Sequence, residues 1–369
     1  MNEEHLFIGI MSGTSIDAVD AVAVQFKAEG IRVVDSVSEP IPCSLKQQIL
    51  DLCDPNRDSV HLLGETDHQL GRLYAKASLT LLKKSQLSAS QISAIGCHGQ
   101  TIRHVTPSES SVPFSLQIGD ANIIAAQTGI AVVTDFRRKD MALGGQGAPL
   151  VPAFHEYCFA KQGVSRVIVN IGGISNITSL PANGVCTGFD TGPGNILMDL
   201  WAQIHLGTHY DDNGDWAARG SVNQDLLAKM KCCEFFSQPA PKSTGRELFN
   251  LQWLTAQMEG STDISPEDVQ ATLLALTADT IFGEIQALNG PLEEVYICGG
   301  GAYNVQLMAK LSELMPQVNT TEALGMSPSL VEGCAFAWLA KRRLASSTGN
   351  LSAVTGAKKE AVLGALYHP

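Results

Sequence analysis

Charge is scarce in this chain: 17% of its 369 residues are Asp, Glu, Lys or Arg, where soluble proteins average about 25%. The balance is acidic, with 37 carboxylates against 25 cations and a formal net charge of −12. A protein that reads nucleic-acid backbones needs a basic face, so no nucleic-acid partner is expected. No stretch approaches the ~18 apolar residues of a membrane span, so no membrane partner is expected either. The start, MNEEHLFIGIM, carries acids where a secretory leader carries Lys or Arg, and the expected location is cytoplasmic. The nine cysteines include no CxxC pair. A zinc site needs paired ligands at short spacing, so they read as reduced thiols packed as small hydrophobes. Three common signatures are missing as well: GxxxxGK[ST], a GxGxxG following a strand, and GxSxG. What remains is 44% hydrophobic, enough to bury a large core, exclude disorder and build two domains.

Strand-like β-branched runs alternate with helical patterns throughout, which predicts an α/β architecture. Strands are expected at Leu6–Met11, Ala18–Phe26, Ile92–Cys97, Ile130–Thr134, Arg166–Ile171, Ile177–Leu180 and Val295–Cys298. Helices are expected at Ser59–Lys84, Asp120–Thr128, Pro193–His205, Pro266–Leu288, Tyr303–Leu314 and Pro328–Leu344. Gly13 and Gly173 both sit in Gly/Ser turns after an apolar strand, 160 residues apart in number. That spacing suits either a duplicated domain or two unrelated hairpins.

Five segments carry candidate chemistry. Gly9-Ile-Met-Ser-Gly-Thr-Ser-Ile-Asp17 offers successive N–H groups and hydroxyls that can cradle a phosphate. Asp17 and Asp20 add carboxylates able to hold Mg²⁺ through water, and a plain hairpin turn is the alternative. Gly299-Gly300-Gly301 follows a buried strand, suiting close approach of a ligand or tight strand–helix packing. In Gly188-Phe-Asp-Thr-Gly-Pro-Gly-Asn195, Asp190 is either a helix cap or a general base. Arg137 and Arg138, beside a Gly-rich stretch at 144–147, can clamp a carboxylate or sit in a solvated loop. Cys97-His-Gly-Gln-Thr-Ile-Arg-His104 is a dense donor set suited to a sugar, although each His alone reads as structural.

Together these segments resemble the 1,6-anhydro-N-acetylmuramic acid kinase family. The resemblance runs in order from about residue 7 to 340, through MSGTSID (11–17), HGQTIRH (98–104), DFRRKDMALGGQGAPL (135–150), NIGGISNIT (170–178), GFDTGPGN (188–195) and GGGAYN (299–304). It implies two duplicated actin-like ATPase domains of ribonuclease H-like topology around a central cleft. The expected boundaries are 1–136, with 345–369 available to complete that domain, and 137–344. It implies that ATP and water convert 1,6-anhydro-N-acetylmuramate to N-acetylmuramate 6-phosphate in peptidoglycan recycling, with Mg²⁺ alongside ATP and a homodimer allowed for. By motif position the resemblance implies that Asp190 is the catalytic base, and that Ser12, Gly13, Thr14, Ser15, Asp17 and Asp20 hold the ATP phosphates with Gly172 and Gly173. It likewise implies that Gly299, Gly300 and Gly301 lie beside the adenosine, and that Thr101, Arg137 and Glu332 contact the sugar. No direct metal ligand follows. One departure stands out: the family's SGTSxDG has Gly where this chain has Ala18, and a left-handed backbone there would strain a residue with a Cβ. An ordinary sugar kinase acting on a free hydroxyl would use the same fold, as would an ATP-driven switch of the actin or chaperone kind.

Overall fold

The structure is a computed structural model that describes residues 6–13, 15–27, 30–107, 110–260, 264–288 and 292–369. The chain divides into two compact units, one of residues 1–158 with 330–369 and one of residues 159–329.

The first unit opens with β1 (Leu6–Met11), β2 (Ala18–Lys27) and β3 (Gly30–Pro40), an antiparallel meander. β4 (Ile92–Cys97) then lies parallel to β1 on its other side. β5 (Gln100–Val105) and β6 (Phe114–Ile118) form a separate hairpin. β7 (Val132–Thr134) continues the main sheet parallel to β4. β1 is apolar because both of its faces are covered. Ile8 and Ile10 share a core with Leu70, Tyr74 and Ala77 of the helix Val60–Ser85. Gly9 is out of phase with them and faces the helix Val331–Leu344, where a Cβ would run into the Gly333 carbonyl. Gly96 on β4 meets the Phe336 carbonyl in the same way. These two glycines let that helix lie directly on the sheet.

The second unit repeats the pattern. β8 (Arg166–Ile171), β9 (Ile174–Leu180) and β10 (Thr187–Pro193) form an antiparallel meander. β11 (Glu294–Cys298) runs parallel to β8, and β12 (Val318–Thr320) parallel to β11. The helix Pro266–Gln286 contributes Leu273, Leu276 and Ile281 to its core. It starts with Pro266 in its first turn and the Ser265 side chain accepting from the Asp268 N–H. Finally β13 (Ala365–Tyr367) pairs with β7 and closes the edge of the first sheet.

The sheet orders are β13-β7-β4-β1-β2-β3 and β10-β9-β8-β11-β12. Setting β13 aside, each reads as a three-strand meander whose first strand carries two parallel strands on its other side. This is the ribonuclease H-like order twice over, and the Gly13/Gly173 echo falls at the same place in each copy. The boundaries differ from those expected. The first unit keeps residues 137–158 and takes the chain back from Leu330 instead of 345. The reason is the helix Val331–Leu344, which packs on β1, β2 and β4 and cannot be parted from them. Pro193 does not open a helix; it ends β10, and the helix runs from Ile196 to Leu206. The helix expected from Tyr303 begins at Val305.

All nine cysteines are free thiols, and burial pushes the Cys97 thiol up to about 12. Among the described residues no helix is long and apolar enough to cross a membrane.

Candidate active site

In the first unit the turn after β1 is stitched from within. The Ser12 hydroxyl, 2% exposed, hydrogen-bonds the Tyr74 hydroxyl at 2.8 Å. The Ile16 N–H donates to the Gly13 carbonyl at 3.2 Å, and Ile16 has a left-handed backbone with φ 55°. A β-branched residue in that region costs about 1–3 kcal/mol, offset here by burial of its side chain in the core. The strained position is therefore Ile16 and not Ala18, which begins β2 in register with Pro40. Ser15 is exposed, and Thr14 lies outside the described residues. Asp17 forms an ion pair with Lys46 at 2.6 Å. Burial pushes the Asp20 carboxyl up, partly countered by a hydrogen bond from Ser38. Among the described residues no three His, Cys, Asp or Glu side chains gather as a metal site.

The HGQTIRH segment forms one polar cluster with Arg137. The Arg137 guanidinium donates to His98 Nε2 through Nε at 3.1 Å and Nη2 at 2.8 Å, and to the Gly147 carbonyl through Nη1 at 2.8 Å. Because His98 Nε2 accepts, its ring proton sits on Nδ1. Burial first, then the Arg137 charge, holds His98 well below its ordinary pKa. The same causes bring His104 down to about 4, so both rings are neutral at pH 7. The Phe336 ring lies 4.7 Å from the His98 ring. His104 Nδ1 bonds Ser115 Oγ at 2.8 Å, and Gln117 Nε2 donates to Thr101 Oγ1 at 3.1 Å. His104 Nε2 and Gln100 Oε1 are buried without a hydrogen-bond partner, as expected of polar atoms awaiting a polar ligand. Asp140, fully buried, accepts from Asn350, Thr355 and the Gly147 N–H and so anchors the 144–147 loop. A carboxylate gripped by both arms of Arg137 would have to replace the His98 bonds. Arg138 instead turns outward, 3.4 Å from Asp135. Glu332 is half-buried in the first turn of the helix Val331–Leu344.

In the second unit two glycine turns meet at the carboxyl ends of the parallel strands β8 and β11, where open α/β sheets bind ligands. The Gly172 and Gly173 carbonyls accept from the N–H groups of Gly194, Asn195 and Ile196, which begin the helix Ile196–Leu206. Gly299 has φ 81°, and a Cβ there would meet Asn170 and Ile171. Gly301 packs on the Ile171 side chain. Packing thus explains two of the three glycines. It does not explain Gly300, which is exposed and where a Cβ would find only Asn195 Nδ2 at 3.7 Å.

Asp190 lies within β10, opposite Asn176 of β9 and 7% exposed. It stands six residues ahead of the next helix, which removes the helix-cap reading. β10 is the edge of its sheet, and the segment from Lys242 to Thr244 covers it. The Asp190 N–H donates to the Lys242 carbonyl at 3.1 Å, and the Thr244 N–H donates to Asp190 Oδ2 at 2.9 Å. Sequence reasoning missed this segment. Lys242-Ser-Thr-Gly-Arg246 after a Pro-Ala-Pro run has the composition of a surface loop, yet Lys242 is buried. The only local signal was a Gly/Ser/Thr turn flanked by cations.

The family described as anhydro-N-acetylmuramic acid kinase matches residues 5–369. An anhydro-N-acetylmuramic acid kinase from Pasteurella multocida is 50% identical over 98% of this chain and 96% of its own. One from Saccharophagus degradans is 51% identical over 99% of each. A relationship of that extent leaves one conclusion: the chain belongs to the anhydro-N-acetylmuramic acid kinase family.

Proposed function

We propose that the protein uses ATP and water to open the 1,6-anhydro ring of 1,6-anhydro-N-acetylmuramate and release N-acetylmuramate 6-phosphate, as a cytoplasmic step of peptidoglycan recycling. Membership in a kinase family implies ATP as phosphoryl donor and a small-molecule acceptor. The observation that carries the rest is Asp190. It is a buried carboxylate in the GFDTGPGN motif, fixed on a sheet edge by a main-chain amide. Asp190 takes a proton from water as the water oxygen attacks the anomeric carbon. The bond from that carbon to the bridging oxygen breaks, and its electron pair stays on the oxygen. That oxygen attacks the γ-phosphorus and ADP leaves, with the developing charge met by N–H groups.

In the first unit, main-chain amides at 12–13 and 15–17 are assigned to nucleotide phosphate, since the Ser12 hydroxyl is already bonded to Tyr74. In the second, taken by itself, the turn at 172–173 carries the same assignment. Gly299, Gly300 and Gly301 are assigned to the adenosine, with open space at Gly300 as support. Mg²⁺ travels with nucleotide phosphates and needs only one or two carboxylates besides water. Asp20 and Asp17 can serve. Thr101, Arg137 and Glu332 are assigned to the sugar. The unpartnered His104 Nε2 and Gln100 Oε1 support a polar ligand there.

Reaction in heavy-oxygen water, read before the anomeric hydroxyl exchanges, tests the scheme. One label is expected on the anomeric carbon and none in the phosphoryl group. Label in the phosphate ester would overturn the scheme, and turnover of only the free-hydroxyl sugar would point to an ordinary sugar kinase.

A further inference from the structure

A lysine charge is rarely buried without strong compensation. Lys242 has it: Nζ donates to Glu284 Oε1 at 2.7 Å and to the carbonyls of Phe235 at 3.2 Å and Phe236 at 3.4 Å. It also lies 4.8 Å from the Phe235 ring centroid. These contacts rivet the segment to the helix Pro266–Gln286 and to the short helix Glu234–Ser237. The main chain two residues on then supplies the Thr244 N–H to Asp190 Oδ2, while the Lys242 carbonyl holds the Asp190 N–H. One carboxylate oxygen is thereby fixed by a donor that cannot rotate away.

We propose that Thr244 is a positioning residue that acts through its main-chain N–H. It orients the Asp190 carboxylate and favours its ionised form, and the buried Lys242–Glu284 pair keeps that amide in place. This rests on the reading of Asp190 as the base. A hydrogen bond to the charged form of an acid lowers its pKa, so losing the donor raises it. A base works only when ionised, and the acid limb of the rate profile therefore moves to higher pH.

The charged groups on the elements packed against Asp190 are few. The covering segment carries Lys242, Arg246 and Glu247, the short helix Glu234–Ser237 carries Glu234, and β9 carries none. On the helix Pro266–Gln286, Asp279 is paired with Lys231. Asp268 accepts from the Ser221 N–H, and Glu267 is held below its ordinary value by a hydrogen bond from its own backbone first, then by Trp216 and the Arg219 charge. Glu284 is bound to Lys242.

The test is the pH profile of kcat/KM for three proteins. Thr244→Pro deletes the N–H, and its acid limb should rise by about one pH unit. Its kcat should fall about tenfold or more with KM for ATP unchanged. Thr244→Ala keeps the N–H and should leave the acid limb where the parent has it. If Thr244→Pro does not fold, an amide-to-ester replacement at 244 removes only the donor and should give the same shift. A folded protein lacking the N–H with the parent's acid limb and kcat would overturn the proposal. So would an equal shift in Thr244→Ala, which would assign the effect to the side chain. A near-parental rate in Asp190→Asn would instead overturn the base assignment itself, whatever Thr244 does.

Discussion

The two sheets share one strand order and put it to different use. In the first unit the turn after the first strand is closed inward, with Ser12 on Tyr74, Ile16 in the core and Asp17 on Lys46. In the second, the matching turn gives its carbonyls to the start of a helix. The contrast widens one strand over. β4 leads into the β5–β6 hairpin, which collects His98, Thr101, His104 and Arg137 into a cluster with neutral histidines. β11 leads into glycines and a helix. The third strand differs most, because β10 holds a buried acid on a covered edge while β3 is half-exposed along its length. A repeated topology fixes where turns fall; the residues at those turns decide whether a turn is a brace or a site.

The largest expected effect comes from Asp190→Asn. It keeps the size and much of the hydrogen bonding but cannot take a proton. Turnover should fall about 10²–10⁴-fold, with ATP binding retained in a nucleotide titration. A near-parental rate would reduce β10 to a structural edge and erase the contrast with β3.

Next come the glycines, where packing and site readings part. Gly9→Ala drives a Cβ into the Gly333 carbonyl. Overpacking of this kind costs about 1–3 kcal/mol, and a lower unfolding midpoint is expected with KM for ATP little changed. Gly300→Ala should do the reverse, leaving stability alone and weakening ATP. Equal stability losses in both would make Gly300 another packing glycine.

Arg137→Ala should weaken the anhydro sugar far more than ATP. Hydrogen bonds to charged groups are worth about 1.5–3 kcal/mol, a loss of roughly tenfold or more measurable by calorimetry. Equal losses for both ligands would return Arg137 to bracing His98 and the Gly147 loop.

Much of this was legible in the sequence because buried central strands announce themselves. β1 is a continuous apolar run, β4 is broken only by Ser93 and β8 only by Arg166 and Asn170, and Arg166–Ile171 is bounded as read. Asp190 and the two glycine turns were legible as motifs. Partners far along the chain were not. Nothing around Ser12 points to Tyr74, 62 residues away, or around Arg137 to His98, 39 residues away. Pro193 misled because Pro usually opens helices, whereas here it ends an edge strand that needs one fewer donor. β13, three residues long, is too short to show alternation.

The last comparison sets two lysine pairs of similar length side by side, and the exposed one carries the smallest expected effect. Lys242 and Glu284 are 2.7 Å apart with side chains 3% and 19% exposed. Lys46 and Asp17 are 2.6 Å apart at 22% and 43%. Removing one partner of a buried pair strands the other charge, at about 3–5 kcal/mol, so Lys242→Met should visibly destabilise the protein. Water screens the exposed pair, so Lys46→Met should cost at most about 1 kcal/mol in denaturant unfolding. Its informative readout is ATP. If Asp17 serves the metal that travels with the phosphates, freeing it from Lys46 alters KM for Mg·ATP while stability stays put. An unchanged KM across Mg²⁺ concentrations would leave Asp17 as a surface anchor for the helix Cys43–Cys53 and pass the carboxylate role to Asp20.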